Sequence, residues 1–132
     1  MSIQDAIKRA KARQPETFVV DVQIGDEASS IVLTEVAGSE WNDLVAYCPA
    51  RPHNVEDAKC GFDPGALLRR YPVDHVTIDG QLPSSEEWLD VLALLPASSF
   101  ADLGVALWGL HELEPRKRLL AAVKKKESAV HG

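Results

Sequence analysis

A chain of 132 residues, 45% apolar and 26% charged, has room for one hydrophobic core, and its two cysteines exclude a scaffold built on disulfides. No apolar run approaches a membrane-spanning length, and no apolar stretch of secretory-signal form follows the N-terminal bases Lys8, Arg9, Lys11 and Arg13, so a cytosolic location is expected. The formal charge of −6 is uneven: residues 1–15 carry four bases against Asp5 alone, 116–132 carry six against Glu127, and 16–115 carry eighteen acids against four bases. An acidic body argues against nucleic-acid binding by the folded domain and points to a basic protein partner, or to basic ends meeting the acidic bodies of other copies.

Ser2-Ile3-Gln4-Asp5 opens a short helix with a narrow stripe of Ile3, Ala6, Ile7 and Ala10, closed by Pro15. Such a weak stripe predicts late docking, or docking only in an assembly. Phe18 to Ile24 alternates apolar and polar residues, Gly25-Asp26-Glu27 reads as a turn, and Ser30 to Val36 as the return strand of a hairpin with a loop of several residues. Two strands are marginal alone, so one face needs cover from helices or from another chain.

Ser39 is placed to cap a helix in which Trp41, Leu44, Val45 and Cys48 form a stripe, with Pro49 as its stop. The segment 49–62 lacks apolar periodicity and contains Pro49 and Pro52, which predicts a long surface loop. Asp63-Pro64 starts a helix that Pro72 ends, residues 73–78 read as a brief strand or extended chain, and Asp79-Gly80 marks a turn. Ser84 to Glu87 is a second capping box, behind which Trp88, Val91, Leu92 and Leu95 form the strongest helical face. Ser99 with Asp102 predicts the start of a further helix containing Phe100, Leu103, Leu107, Trp108 and Leu110. Glu114-Pro115 restarts or kinks it, and Leu119, Leu120 and Val123 continue a strip into Lys124-Lys125-Lys126.

The expected architecture is α+β: an N-terminal β-hairpin packed on four to five short helices. A basic helix spans 1–15, one compact domain spans 16–113, and a basic helical extension over 114–132 ends in six disordered residues. The core is expected from Trp41, Leu44, Trp88, Leu92, Leu103 and Trp108, with the three tryptophans meeting near one place. Protein-binding positions are expected at the hairpin edge (Val20, Val22) and in the 49–62 loop (Pro49, Pro52, Phe62).

Signals for chemistry are sparse. Cys48, His53, Cys60 and His75 are the candidate metal ligands, but their spacing lacks the tight pairs of structural zinc sites. Asp74 and Asp79 near His75 suggest a general base with an orienting carboxylate, a pairing that chance readily supplies among eighteen acids. The serines at 84, 85, 98 and 99 read as helix caps, His111 as outward-pointing or bonded to a carbonyl, and the glycines are isolated rather than grouped in a phosphate loop. Neither a catalytic residue nor a cofactor or metal site is assigned, and a non-enzymatic binding protein is expected.

The order of motifs adds a family. Glu40-Trp41-Asn42-Asp43-Leu44-Val45, Cys48-Pro49, Phe62-Asp63-Pro64, the Glu86-Glu87-Trp88 helix and the series Phe100, Leu103, Ala106, Leu110 follow one another across 16–113. This series resembles the tail assembly chaperones of long-tailed, siphovirus-type phages that infect actinobacteria, although Ala50 and His111-Glu112 depart from the family's usual turn and closing asparagine. The resemblance implies a viral morphogenesis protein. It would bind the tape measure protein in multiple copies, keep it soluble, promote tail tube assembly in the host cytoplasm and be absent from the mature virion. It also implies a homo-oligomer and a longer frameshifted form of the same chain, for which Lys124-Lys125-Lys126 is a suitable position. The alternatives are another small phage morphogenesis protein, such as a tail terminator or head–tail connector, or a small metal- or histidine-dependent hydrolase.

Overall fold

The computed structural model describes residues 2–131, with side chains described for residues 2–130. Its elements in chain order are α1 (Ile3–Ala12), β1 (Thr17–Ile24), β2 (Glu27–Thr34), α2 (Gly38–Tyr47), α3 (Val55–Cys60), α4 (Pro64–Arg70), β3 (Val76–Ile78), α5 (Ser85–Leu94), α6 (Ala97–Trp108) and α7 (Glu114–His131). The fold is α+β, with the hairpin near its N-terminus and a helical layer behind it.

The hairpin is longer and tighter than its sequence suggests. Ile24 pairs with Glu27, so the loop is only Gly25-Asp26, and Gly25 takes φ +64°, a conformation that a residue without Cβ adopts freely. The return strand therefore begins three residues earlier than the β-branched run does. Residues 76–78 join as a third antiparallel strand in the order β1-β2-β3. Asp79 and Gly80, both at positive φ, turn the chain beyond it, while Asp79 Oδ1 accepts from the Ser30 amide at 2.8 Å and the Asp79 amide donates to the Ser30 carbonyl.

One face of this sheet is the floor of the core. Val20 and Val22 of β1, Ile31 and Leu33 of β2 and Val76 of β3 are buried there against Leu67 and Leu68 of α4, Trp88 and Leu92 of α5 and Leu103, Ala106 and Leu107 of α6. The opposite face carries exposed Val19, Asp21 and Gln23, as the alternation predicts. α5 opens with the predicted capping box, Ser84 and Glu87 bonding each other's backbone amides. α4 opens on Asp63, whose carboxylate accepts from the amides of Gly65 and Ala66 ahead of Pro64 at the first turn.

Two other helix starts differ from expectation. α2 begins at Gly38 with no side-chain cap, so Ser39 does not cap it. α6 begins at Ala97, and Ser99 is a buried residue inside it whose hydroxyl accepts from the Gln23 amide at 3.3 Å. That bond takes an outward N–H from the edge strand β1, so α6 covers one end of the sheet edge as well as its face.

Of the residues expected in the core, Trp41, Trp88, Leu92 and Leu103 are buried, whereas Leu44 and Trp108 are half-buried at its margin. All three tryptophans belong to or pack against one core, as expected, and each makes a different contact there. The Trp88 indole donates to the Leu68 carbonyl at 2.8 Å, Trp41 stacks on His111, and Trp108 lines a surface groove. Trp108 is the last residue of α6, half-buried and packed against the margin of the core.

Beyond Trp108 the helix does not break. Gly109–Leu113 form a π-turn in which the Glu114 amide reaches the Gly109 carbonyl, and α7 continues to His131, so the expected disordered end is helical as far as the described residues extend. Pro115 explains the wider turn: it has no N–H for the carbonyl four residues back, and its ring crowds that carbonyl.

Core and extension should respond oppositely to truncation. Leu103→Ala is expected to destabilise the domain by about 2–5 kcal/mol, and Leu119→Ala, on the exposed part of α7, to change it by about 0.5 kcal/mol or less. Urea denaturation followed by tryptophan fluorescence at low protein concentration checks both.

Candidate functional site

The segments around Trp41, Cys48-Pro49, Phe62-Asp63-Pro64 and Gly104 meet in one place. The Asp63 amide donates to the Cys48 carbonyl at 2.9 Å, Pro49 and Phe62 form an isolated β-bridge, and Phe62 packs edge-on to Trp41 with ring centroids 5.4 Å apart. Gly104 of α6 lies against Pro64, where an added Cβ would stand 3.0 Å from the proline ring, so this helix approaches α4 as closely as it does because residue 104 has no side chain.

Between these segments the expected loop is partly helical. α3 is capped by Asn54, whose side chain accepts from the Asp57 amide, and it ends on Gly61 at φ +89°. Asp57 is buried. Its carboxylate accepts from the Arg51 amide at 2.9 Å and from the Arg51 guanidinium at 2.8 and 3.0 Å. The Arg51 side chain, hydrogen-bonded to it, holds the Asp57 carboxyl below its ordinary range. This polar clamp orders a stretch that apolar periodicity could not reveal.

The clamp changes which residues face outward. Phe62 is 1% exposed, and Val20 and Val22 are buried in the sheet core, so three of the five expected protein-binding residues are structural. Pro49 and Pro52 are exposed, as expected of them. β1 is indeed an edge strand, but the large apolar residues it exposes are Phe18 and Val19.

The candidate chemical groups are spoken for elsewhere. Burial raises the Cys48 thiol above its ordinary pKa, which keeps it protonated, and Cys60 Sγ sits within hydrogen-bonding distance of the Phe62 carbonyl at 3.3 Å. His75 turns Nδ1 to the Glu35 carbonyl at 3.2 Å, while the Asp79 carboxylate holds the Ser30 amide, so the suggested His75–Asp79 pairing is not made. Among the described residues, no three His, Cys, Asp or Glu side chains are grouped so as to hold a metal ion. No described helix is long and apolar enough to cross a membrane.

His111 is the residue that sequence reasoning underrated. Of the two expectations for it, the bond to a helix carbonyl holds and the outward orientation does not: its ring stacks on Trp41 at 4.0 Å between centroids and 4° between planes. Its Nε2 accepts from the Val36 amide at 3.1 Å, which leaves Nδ1 as the donor to the Leu107 carbonyl at 2.9 Å. The adjacent Glu112 accepts from the Trp41 indole at 2.9 Å. Tyr71 completes the surround, with its hydroxyl donating to the Thr34 carbonyl and its ring edge-on to His111. The spacing of 70 residues between Trp41 and His111 leaves no local pattern from which this pairing could be read.

Outside the core, two helices stand uncovered. Every described side chain of α1 is exposed, Ile3 and Ile7 included, and every residue from Arg116 to Val130 of α7 is exposed, with Leu119, Leu120, Val123 and Val130 between 44% and 75%. α1 is tied to the domain at its base, where Arg13 pairs with Glu35 at the end of the hairpin. Both helices combine an apolar strip with a surplus of bases, the form of a helix that lies on something else.

Compared with known proteins, the chain matches no family model, no curated protein and no solved structure.

Burial pushes the His111 pKa below its ordinary 6.5, against the Leu107 carbonyl, Glu35 and Glu112, which pull it up. The unfolded chain therefore takes up a proton before the folded one does, and stability falls as pH drops through and below about 6.5. His111→Gln, which keeps an acceptor for Val36, should flatten that part of the profile. Urea midpoints of both proteins measured across the range check this.

Proposed function

We propose that this chain is a non-enzymatic tail assembly chaperone of a long-tailed phage. Several copies cover the elongated tape measure protein, keep it soluble, help the tail tube to polymerise around it and depart before the virion is complete. The reading rests on the ordered motifs described above, and one structural observation carries it furthest: two basic, amphipathic helices project from an acidic domain with their apolar strips uncovered. Helices of this kind gain their stability from what they pack against. A long, aggregation-prone helical partner offers that surface many times over, and many weak contacts give a cover that is strong in sum and reversible copy by copy. The longer, frameshifted form belongs to the same reading, with the lysine triplet as its proposed point of divergence.

Co-expression with the large helix-rich protein encoded downstream tests the proposal. Capture of that protein in soluble form, with several copies of this chain in the complex by light scattering, is the expected result. A large protein that stays insoluble whether this chain is present alone or with its longer form overturns it.

A further inference from the structure

Resting on the part of that reading in which the chain works in several copies, we infer that α7 of one copy docks on the outward face of α6 of another. Val105, 66% exposed, forms a ridge on that face between two grooves. One groove, of about 320 Å³, runs between α6 and the edge strand β1 and is bordered by Asp21 and Asp102. The other, of about 440 Å³, is mainly apolar, with Phe100 and Trp108 in its wall and Glu56 at its rim. The base on that rim, Lys59, is already paired with Glu56 at 3.3 Å. A ridge flanked by grooves is the surface on which a second helix packs.

Charge selects the occupant. The strip of Leu119, Leu120 and Val123 matches the apolar part, and residues 116–132 carry six bases against Glu127, while the body over 16–115 carries eighteen acids against four bases. Pairing α7 with another α7 would bring two strongly basic helices together, whereas the receiving face has Asp102 of α6 and Asp21 of the adjoining β1 beside the ridge. The helix cannot satisfy its own body, because it leaves the domain through the π-turn and all its residues from Arg116 to Val130 remain exposed. Each copy thus offers one α7 and one α6 face, which gives either a closed pair or a head-to-tail chain.

Sedimentation velocity on the purified full-length chain tests this without any tape measure protein. The wild type is expected to associate with rising concentration, and less so at high salt. Val105→Asp on the receiving face, and Leu120→Asp with Val123→Asp on the docking strip, should each weaken association by roughly tenfold or more. These positions are exposed, and circular dichroism with thermal melting verifies that the variants fold; Val105→Arg provides an independent disruption of the same face. An equimolar mixture of the two variant types should form a hybrid pair, since one keeps an intact α7 and the other an intact face. A monomeric wild type at every concentration overturns the docking but leaves the tape measure experiment to decide the chaperone reading. Wild-type association by both receiving-face variants, or a mixture that forms no hybrid, overturns it in favour of another contact.

Discussion

The stack of His111 on Trp41 is the contact on which the arrangement of the helices depends. His111 sits within the π-turn, yet its two ring nitrogens reach the segment after β2 and the last turns of α6, while its face is held by α2. A single imidazole therefore joins its own helical run, through Leu107, to Val36 and Trp41, which are distant in the chain. Its neutral form suits all of them, because one nitrogen must accept and the other donate. Glu112 and Tyr71 close the surround, and a displaced ring would leave the Val36 amide without its acceptor and the face of Trp41 without its stacking partner at the same time.

A second polar device works in parallel. The Arg51–Asp57 clamp folds residues 51–57 onto themselves, and Asn54 starts α3 from inside that fold. The clamp then delivers Phe62 to Trp41, and Asp63 to the head of α4. The apolar core and the two polar clusters are consequently one system: Trp41 touches Phe62 on one side and His111 on the other. Outside this system lie α1 and the part of α7 from Arg116 to Val130, in which every described side chain is exposed.

Legibility followed the range of the interactions. Local signals were read well: the capping box at Ser84, the Asp63-Pro64 start, the Asp79-Gly80 turn and the alternation that buries Val20 and Val22 all depend on near neighbours. The same alternation commits those two valines to the core and not to a partner, since a residue on the apolar face of a covered sheet is already used. α3 was hidden because it is held by the buried Asp57 carboxylate, paired with the exposed Arg51, rather than by an apolar stripe, and Ser99 misled because a hydroxyl suited to capping served a strand edge 76 residues away. His111 was invisible for the same reason: its partners are set by the tertiary fold. The charge asymmetry was legible in full, and the structure adds that the basic segments are helices with no cover.

The π-turn has a consequence for how α7 meets anything at all. Backbone angles stay helical at Trp108, Gly109 and Glu114, so the last 18-residue helix continues α6 without a break and is not a tethered tail. A tether searches a volume and loses freedom when it is caught; a strut arrives already aimed, and its direction is inherited from the few residues at its root. The angle between successive subunits in any assembly built through α7 would then be written into the segment from Gly109 to Leu113. Substitutions there would alter the pitch of the whole array without touching a single contact surface.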